Sequence, residues 1–485
     1  MKVKSHEHEF QEHKETECDS NELKKSGAIQ CLVNSYEKYN VLSISIAIIS
    51  VMVILIIAAD ECRQCFNKLD DKPKTNKESR LKKFWAYGKN IESGFLKEVF
   101  LILDRFGYEN DPNATDWDLL WAHDYPFRKL YTQLNNLKPH QKVNHFPGCG
   151  YITNKVDLAT KILKLKKIDK IDLDKEGTFI QEYIDKPLLV SGYKFDIGIY
   201  TVITSVDPLR VYVYNGDALL RFCPVKYYPF DPDNLDKYVV GDDYLPIWEV
   251  PALDYYYNEL GFGMKESLNA FVRSQGKDPN VIWDQIEESI RTLMLAKESL
   301  ITDVVKRFQS KRNFFEMMRI DFVIDENLNI YLLEANMSPN LSSAHFPPNR
   351  LLYHQVLYNI LGLVGVGERI YKNSLEVRSQ SEEEMMVSDK NIATFPDTCN
   401  SDLCKTSCIS PDCQLCKPCL SPETRKDLVG AYKEHLHKGD CKRIFPPAMV
   451  REEAFQNVIP DNLSPENQLH YRWFQGKCQL DQSWC

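Results

Sequence analysis

The sequence lacks the excess of basic residues that most nucleic-acid-binding proteins carry. Its 60 lysine and arginine residues are outnumbered by 69 aspartate and glutamate residues, giving a formal net charge of -9 over 485 residues. Without a positive field over the whole molecule, a general nucleic-acid-binding function is excluded. No internal repeat is visible. The composition, 43% apolar and 11% aromatic, is that of a folded protein of two or three domains.

Charged residues are also missing from one long apolar run, residues 41–59 (VLSISIAIISVMVILIIAA). This run approaches the length of a helix that crosses a bilayer. A buried core helix is the alternative interpretation, but few helices of soluble proteins are apolar on every face. Because the run begins after residue 40 and lacks a small-x-small cleavage pattern, it predicts a single-pass membrane anchor rather than a removed signal peptide.

Two features give opposite predictions for the side of the membrane on which the rest of the chain lies. Basic residues are more numerous in residues 60–80 than in residues 21–40, so the positive-inside rule places the bulk of the protein in the cytosol. The cysteines indicate the opposite, because nine of the fifteen follow residue 398. Such a density is typical of small disulfide-bonded secreted modules.

Zinc is an alternative role for these cysteines. Cys413, Cys416 and Cys419 are each separated by two residues, and His435 and His437 follow them. The ligand types suit zinc, but the spacing is not the paired C-x2-C of a zinc ribbon. Disulfides, zinc binding and free thiols all remain open at this point, with disulfides favoured.

The chain divides by composition into six parts: a polar tail (1–40), the transmembrane helix (41–59), a Lys-rich connector (60–83), a globular region (84–370), a Ser- and Glu-rich linker (371–396) and a cysteine-rich region (397–485). Within the globular region, apolar runs and alternation predict strands at residues 178–183, 193–204, 209–214, 320–324 and 330–335. Helical spacing of apolar residues predicts helices around residues 283–294 and 351–363. Mixed strands and helices predict an α+β or α/β enzyme domain.

The segment from Arg312 to Ser343 (RNFFEMMRIDFVIDENLNIYLLEANMSPNLSS) carries the strongest chemical signal. Two apolar strands flank a polar turn, which predicts a β-hairpin. With a four-residue loop at 326–329, Asp325 faces Ile330 and Asp321 faces Glu334, while Asn336 points to the same side as Glu334. Two carboxylates and an amide oxygen that converge suit Mg²⁺ bridging a nucleotide's phosphates. The alternative is a hairpin whose polar residues face water.

This segment, read as D-F-V-I-D-E-N-L-x-x-Y-L-L-E-A-N-M-S-P-x-L, closely resembles the Mg²⁺-binding segment of the tubulin tyrosine ligase-like family. The resemblance implies an ATP-grasp-like ligase domain, here shortened, that uses ATP and Mg²⁺. In that family the positions matching Asp321, Glu334 and Asn336 hold the metal.

Two further segments resemble the same family. Residues 179–222 match a segment in which, by resemblance, Gln181, Glu182, Tyr183 and Ile184 form the strand whose backbone holds the adenine. The same match implies that Lys194 and Asp196 face the nucleotide, and that Lys194 and Arg221 take part in catalysis, with Arg221 contacting phosphate or the acceptor. Taken alone, a lysine or arginine here is more often a solvated surface charge. Residues 142–158 (KVNHFPGCGYITNKVDL) resemble the family segment that precedes the nucleotide site, and Trp121 is similar to the tryptophan before it.

The chain departs from the family pattern in two places. Between Asp157 and Phe179 it lacks the Trp-x-x-Lys-Pro strand and the Gly-rich loop that covers the phosphates, and it retains a single glycine, Gly177. In addition, Gly198 stands where the family's Lys-Phe-Asp-x-Arg motif has arginine. An omitted exon would explain the first departure but not the second.

The resemblance implies a ligase that adds an amino acid, most often glutamate, to the acidic tail of tubulin. The alternative hypothesis is a membrane-anchored pseudo-ligase that binds a protein partner or microtubules through the former cleft. Topology decides the acceptor, because tubulin is cytosolic. Three N-x-[ST] sequons, at Asn113, Asn340 and Asn462, offer a glycosylation test of the side on which the chain lies.

Overall fold

The computed structural model of the protein describes residues 81–89, 91, 94–162, 181–367, 385–456 and 458–485. The predicted tail, the transmembrane helix (41–59), most of the connector and the Lys-rich stretch 163–180 lie outside the described residues. None of the helices within these ranges has both the length and the apolar character needed to cross a bilayer.

The described residues contain eleven strands and fourteen α-helices, which are labelled in chain order. The strands are β1 (Lys82–Tyr87), β2 (Tyr108–Asn110), β3 (Leu119–Ala122), β4 (Lys142–Val143), β5 (Phe195–Val206), β6 (Leu209–Tyr214), β7 (Leu219–Phe222), β8 (Leu245–Pro246), β9 (Glu316–Ile324), β10 (Ile330–Asn336) and β11 (Cys441–Phe445). The helices are α1 (Lys97–Arg105), α2 (Tyr131–Leu134), α3 (Gly150–Thr153), α4 (Lys155–Ile162), α5 (Pro251–Asp254), α6 (Met264–Ser274), α7 (Asn280–Val305), α8 (Arg350–Leu363), α9 (Asp389–Ile392), α10 (Pro396–Cys399), α11 (Asp402–Thr406), α12 (Pro422–His437), α13 (Arg451–Phe455) and α14 (Pro465–Leu480).

The strands form two sheets in a mixed α/β fold. Strands β2-β1-β3-β4 make a small parallel sheet. A larger antiparallel sheet has the order β10-β9-β5-β6-β11, and β7 and β8 extend it beside β5. Strands β6 and β9 are buried along their whole length and β5 along most of it. Because both faces of these central strands are covered, their sequences read as nearly continuous apolar runs.

Four of the predicted strands and both predicted helices are present. The apolar residues Ile282, Ile286, Ile290 and Leu293 recur at helical spacing along α7 and are buried. The strand predicted at residues 178–183 is not found in its described part. Residues 181–183 have exposed side chains and pair with none of the described strands.

The predicted hairpin is β9-β10, but its register differs near the turn. Ile330 pairs with Ile324, not with Asp325 as predicted. Asp325 instead closes the turn, because its carboxylate accepts hydrogen bonds from the backbone N–H groups of Asn327 and Asn329 at 2.9 and 2.8 Å. A β-bulge between Leu332 and Glu334 then shifts the register by one residue, and the predicted pairing of Asp321 with Glu334 is restored.

The cysteine-rich region contributes directly to the larger sheet, because β11 pairs with β6. Three disulfides lie close together between residues 399 and 419, joining Cys399 to Cys416, Cys404 to Cys413 and Cys408 to Cys419. A fourth joins Cys478 to Cys485. The disulfide interpretation is therefore confirmed for these eight cysteines, and the sulfur atoms that a zinc site would need are already bonded.

A buried ion pair fastens the cysteine-rich region to the sheet. Glu434 on α12 accepts hydrogen bonds from Arg210 Nε at 2.8 Å and Nη2 at 3.0 Å. Its carboxylate also accepts from the hydroxyls of Tyr212, at 3.1 Å, and Thr204, at 2.9 Å. Four donors from β5 and β6 thus satisfy a single carboxylate that is almost removed from water.

Candidate functional site

Polar side chains gather on one face of the larger sheet, where β5, β7, β9 and β10 lie side by side. The register pairs Asp196 with Arg221 and Gly198 with Asp321 across two strand boundaries. It also pairs Asp321 with Glu334 across a third boundary. Because directly paired residues of antiparallel strands point to the same face, the alternation along each strand brings these groups together.

Two arginines hold the carboxylates at the centre of this face. Arg221 donates to Asp196 Oδ1 and Oδ2 at 2.9 and 2.7 Å, and to Asp321 Oδ2 at 3.0 Å. Arg319 donates from Nε and Nη2 to the two oxygens of Asp321 at 2.7 and 2.9 Å. Asp321 is 1% exposed, so it does not face water. Burial raises the pKa of Asp196 to about 6 despite the opposing effect of Arg221.

Glu334 and Asn336 complete the cluster on β10. The Asn336 amide nitrogen lies 3.0 Å from Asp321 Oδ2 and 3.1 Å from Glu334 Oε1. Glu334 also forms an ion pair with Lys155 of α4. Burial acts to raise the pKa of Glu334, but the hydrogen bonds from Lys155 and Asn336 outweigh it and lower the pKa below its ordinary value.

The three predicted metal ligands therefore fit a magnesium ion in chemistry and position. A half-turn of the Asn336 amide exchanges its nitrogen for its oxygen at the same place, which would bring three oxygen donors together. Asp321 Oδ1 accepts a single described hydrogen bond, from Arg319, and so keeps a free lone pair. Asp321, Glu334 and Asn336 thus point into a shared site, whereas the polar residues of the turn face water.

The predicted adenine-binding residues lie beside this cluster. Lys194 donates to the backbone carbonyl of Tyr238 at 2.8 Å and its ammonium lies 5.1 Å from the Tyr183 ring centre. Burial lowers the pKa of Lys194. Gln181 reaches the edge of the sheet, where its amide is 3.5 Å from the carbonyl oxygen of Leu332. Glu182 is exposed and Ile184 is partly buried.

Arg319 is the residue of this site that the sequence interpretation missed. Its signal was present in the alternation of β9, since Arg319 stands two residues before Asp321 and must share its face. The side chain is buried at 6% exposure, and it fills the space above Gly198. A Cβ atom built on Gly198 would lie 2.7 Å from Arg319 Cδ, which is closer than van der Waals contact allows.

A second buried cluster links the segment 142–158 to the base of β9. The ring of His145 contacts Glu316 through Nδ1 at 2.8 Å and the carbonyl oxygen of Ala122 through Nε2 at 2.8 Å. The other oxygen of Glu316 accepts from the Phe146 backbone at 2.8 Å. His145, Glu316 and Cys149 have metal-ligand chemistry, but burial raises the pKa of the Cys149 thiol well above its usual range. The cluster therefore has a structural role, because its hydrogen bonds join the smaller sheet to the larger one.

The fold and the site define an enzyme family. A profile of the tubulin-tyrosine ligase family matches residues 160–370, which include every residue of the charged cluster except Lys155. A relative from Caenorhabditis elegans named "Probable tubulin polyglutamylase ttll-15" is 38% identical over 444 residues, which cover 82% of this chain and 85% of the relative. The chain belongs to the tubulin-tyrosine ligase family.

More distant relatives share a smaller part of their length. Tubulin polyglutamylase TTLL6 of Mus musculus is 27% identical over 350 residues, covering 60% of this chain and 42% of that protein. Tubulin polyglutamylase TTLL7 of Homo sapiens is 23% identical over 442 residues, covering 76% of this chain and 48% of that protein. The chain thus spans less than half of these two relatives but most of the worm protein.

Proposed function

We propose that this chain is an ATP- and Mg²⁺-dependent carboxylate–amine ligase that adds glutamate to glutamate side chains of a protein acceptor, with tubulin as the acceptor. The observation that carries the proposal is the convergence of Asp321, Glu334 and Asn336 beside Arg221 and Arg319 on one face of the sheet. The names of the relatives support the amino acid and the acceptor. The resemblance supports an ATP-grasp arrangement of the domain.

The reaction proceeds in two steps and needs no covalent enzyme intermediate. An oxygen of the acceptor carboxylate attacks the γ-phosphorus of ATP, the bond to the β-γ bridging oxygen breaks, and ADP leaves with the electron pair. The amine of the incoming glutamate then attacks the acylphosphate carbon, phosphate leaves, and the amine proton passes to solvent. Fixed cationic groups stabilise the charge that develops in both steps.

Each residue of the cluster has a role in this proposal. Asp321, Glu334 and Asn336 would hold the metal, which when bound would neutralise phosphate charge. Arg221 would bind the phosphate or the acceptor carboxylate, and its hydrogen bonds to Asp196 and Asp321 fix the position of its guanidinium for that role. Lys194 and the backbone of residues 181–184 line the nucleotide side, beside the rings of Tyr183 and Tyr238.

The direct test is a ligation assay with the full chain, ATP and Mg²⁺. Radiolabelled glutamate, glycine and tyrosine are each offered with assembled tubulin or with a poly-glutamate peptide. We expect ATP-dependent incorporation of glutamate that EDTA abolishes. Incorporation of glycine or tyrosine instead would correct the donor, and labelling of the peptide without tubulin would correct the acceptor. No incorporation of any amino acid would contradict the ligase function.

One observation favours a second function, that of a pseudo-ligase which binds a partner but transfers nothing. Both oxygens of Asp321 already accept hydrogen bonds from arginines, so a metal must compete with the buried guanidinium of Arg319 and the partly buried one of Arg221. The absence from the sequence of the Gly-rich loop that covers the phosphates in the family also favours a pseudo-ligase. Calorimetric titration with ATP and Mg²⁺ separates the two functions, because a pseudo-ligase of this kind shows no metal-dependent nucleotide binding.

We also propose that residues 41–59 anchor the chain to a membrane. A tubulin acceptor and the positive-inside rule require a catalytic region in the cytosol, whereas the four disulfides favour an oxidising compartment. On the oxidising side the acceptor would be an acidic protein other than tubulin.

Glycosylation decides between the two sides. The sequon residues Asn113, Asn340 and Asn462 are exposed, so a catalytic region on the oxidising side of a cell that glycosylates secreted proteins should lose apparent mass when treated with an endoglycosidase. The variant N113Q/N462Q, measured in the same way, should show a smaller shift or none. An unshifted wild-type chain whose C-terminal cysteines react with a maleimide without prior reduction would place the region in the cytosol, where tubulin is available.

A further inference from the structure

The side chain of Arg319 fills the space that a side chain at position 198 would need. Arg319 is paired with Tyr200 in the register and leans diagonally over the next position of β5 on the same face, which is Gly198. Its Cδ and Nε lie 2.7 and 3.1 Å from the point that a Gly198 Cβ would occupy. Any side chain at position 198 would displace this arginine. The absence of a side chain at 198 is therefore what allows a buried guanidinium from β9.

We propose that Arg319 supplies, from the neighbouring strand, the guanidinium that contacts the transferring phosphoryl group in place of an arginine at position 198. The inference rests on the ligase function proposed above and assigns one more residue to it. In this arrangement the cation comes from β9 instead of β5, and its stem occupies the place where a side chain at position 198 would begin.

The charges of the cluster explain why such a cation is needed. The three carboxylates Asp196, Asp321 and Glu334 are matched by three cations, Arg221, Arg319 and Lys155. If position 319 carried no charge, Asp321 would depend on Arg221 alone, which also serves Asp196. A buried carboxylate that loses a partner is strongly destabilised.

The ion pair between Arg319 and Asp321 also makes Arg319 available to an anion once a divalent cation is bound in the site. A divalent cation held by Asp321 and Glu334 would offset the negative charge that now holds Arg319. A guanidinium at 6% exposure cannot turn to water for a substitute partner. The planar guanidinium fork of arginine can donate two parallel hydrogen bonds to two oxygens of a phosphate group. Arg319 is therefore placed to exchange a carboxylate for a phosphoryl group.

Tyr200 gives independent support for an incoming group. Its hydroxyl is buried and has no hydrogen-bond partner among the described residues. It points from β5 on the face that carries Arg319, its register partner. A buried hydroxyl without a partner costs about 1–3 kcal/mol, and a polar ligand bound over this face of β5 and β9 would recover that cost.

The test is a swap of the two residues in the full chain. Four proteins are compared: wild type, Arg319→Gly, Gly198→Arg, and the double variant Gly198→Arg/Arg319→Gly. Each is assayed for kcat and KM in ligation, for Mg²⁺-dependent ATP affinity by calorimetry, and for its urea midpoint without nucleotide. Arg319→Lys, which keeps the charge but not the fork, is the conservative control.

We expect Arg319→Gly to lower kcat by about 10²–10³-fold, with a much smaller change in KM for the acceptor. Gly198→Arg alone should also be impaired, because its Cβ meets Arg319 and it adds a fourth cation. The double variant should regain kcat to within about tenfold of wild type, since the guanidinium returns from β5. Arg319→Lys should recover part of the loss.

Three results would overturn the assignment: an Arg319→Gly protein as fast as wild type, a folded double variant that binds ATP yet stays as slow as Arg319→Gly, or a double variant that regains only its urea midpoint.

If wild type binds ATP without turnover, the proposed ligase function fails, and the swap is judged on the affinity for ATP. Arg319→Gly should then bind about ten- to a hundredfold more weakly, with recovery in the double variant. Absence of ATP binding by wild type would overturn both.

Discussion

Replacing Glu334 by glutamine is expected to lower the Mg²⁺-dependent ligation rate by about 10²–10³-fold, because a lost metal-ligand charge is worth several kcal/mol in the transition state. The substitution keeps the shape of the side chain and the hydrogen bond with Asn336. It removes the charge that pairs with Lys155, an exposed partner whose release to water costs little. The fold should therefore survive, and the loss should appear in the metal dependence of the rate.

The measurement is a Mg²⁺ titration of the ligation rate, and the matched control is Glu326→Gln. Glu326 lies in the turn of the same hairpin, and its side chain is exposed to water. The control should behave as wild type, whereas Glu334→Gln should require more Mg²⁺ and reach a lower maximum rate. A Glu334→Gln protein with an unchanged Mg²⁺ requirement would remove this residue from the metal site.

Replacing Glu434 by glutamine is expected to destabilise the protein by about 3–5 kcal/mol, because Arg210 would be left as a buried charge without a counter-ion. Arg210 and Glu434 are 5% and 8% exposed. Four donors from β5 and β6 converge on this carboxylate, so its replacement weakens the attachment of α12 to the sheet. Urea unfolding followed by tryptophan fluorescence measures the loss.

Glu423→Gln is the matched control for this prediction, because Glu423 stands on the same helix and forms an exposed ion pair with Arg312. Exposed pairs contribute about 0–1 kcal/mol, so the control should unfold close to wild type. The double replacement Arg210→Met/Glu434→Leu removes both charges and should recover most of the lost stability. Equal losses of unfolding free energy in Glu434→Gln and Glu423→Gln would show that the buried ion pair contributes no more stability than the exposed one.

The chemistry of the site was predictable from local patterns. Asp321, Glu334 and Asn336 were brought together by simple alternation within one hairpin. The pairing of Asp321 with Glu334 was predicted correctly although the turn was predicted one residue out of register, because the bulge after Leu332 restored the alignment. No local property of this apolar run identifies which residue is the extra one.

Contacts between distant segments could not be predicted in this way. Alternation along β9 places Arg319 on the same face as Asp321, but its contact with Gly198 joins positions 121 residues apart, and sequence spacing carries no distance across strands. The apolar residues at 178–183 predict a strand, yet none of the described strands pairs with residues 181–183. The addition of β11 to the sheet was equally invisible, since Cys441–Phe445 lies among cysteines that suggested a separate module.

The pairing of β11 with β6 sets the boundary of any fragment made for expression. A fragment ending at residue 370 would contain every residue of the charged cluster, yet it would leave one side of β6 without its partner strand. Exposed apolar strand edges recruit other chains and aggregate. The shortest soluble catalytic fragment is therefore expected to run from about residue 81 to Cys485, with its disulfides formed.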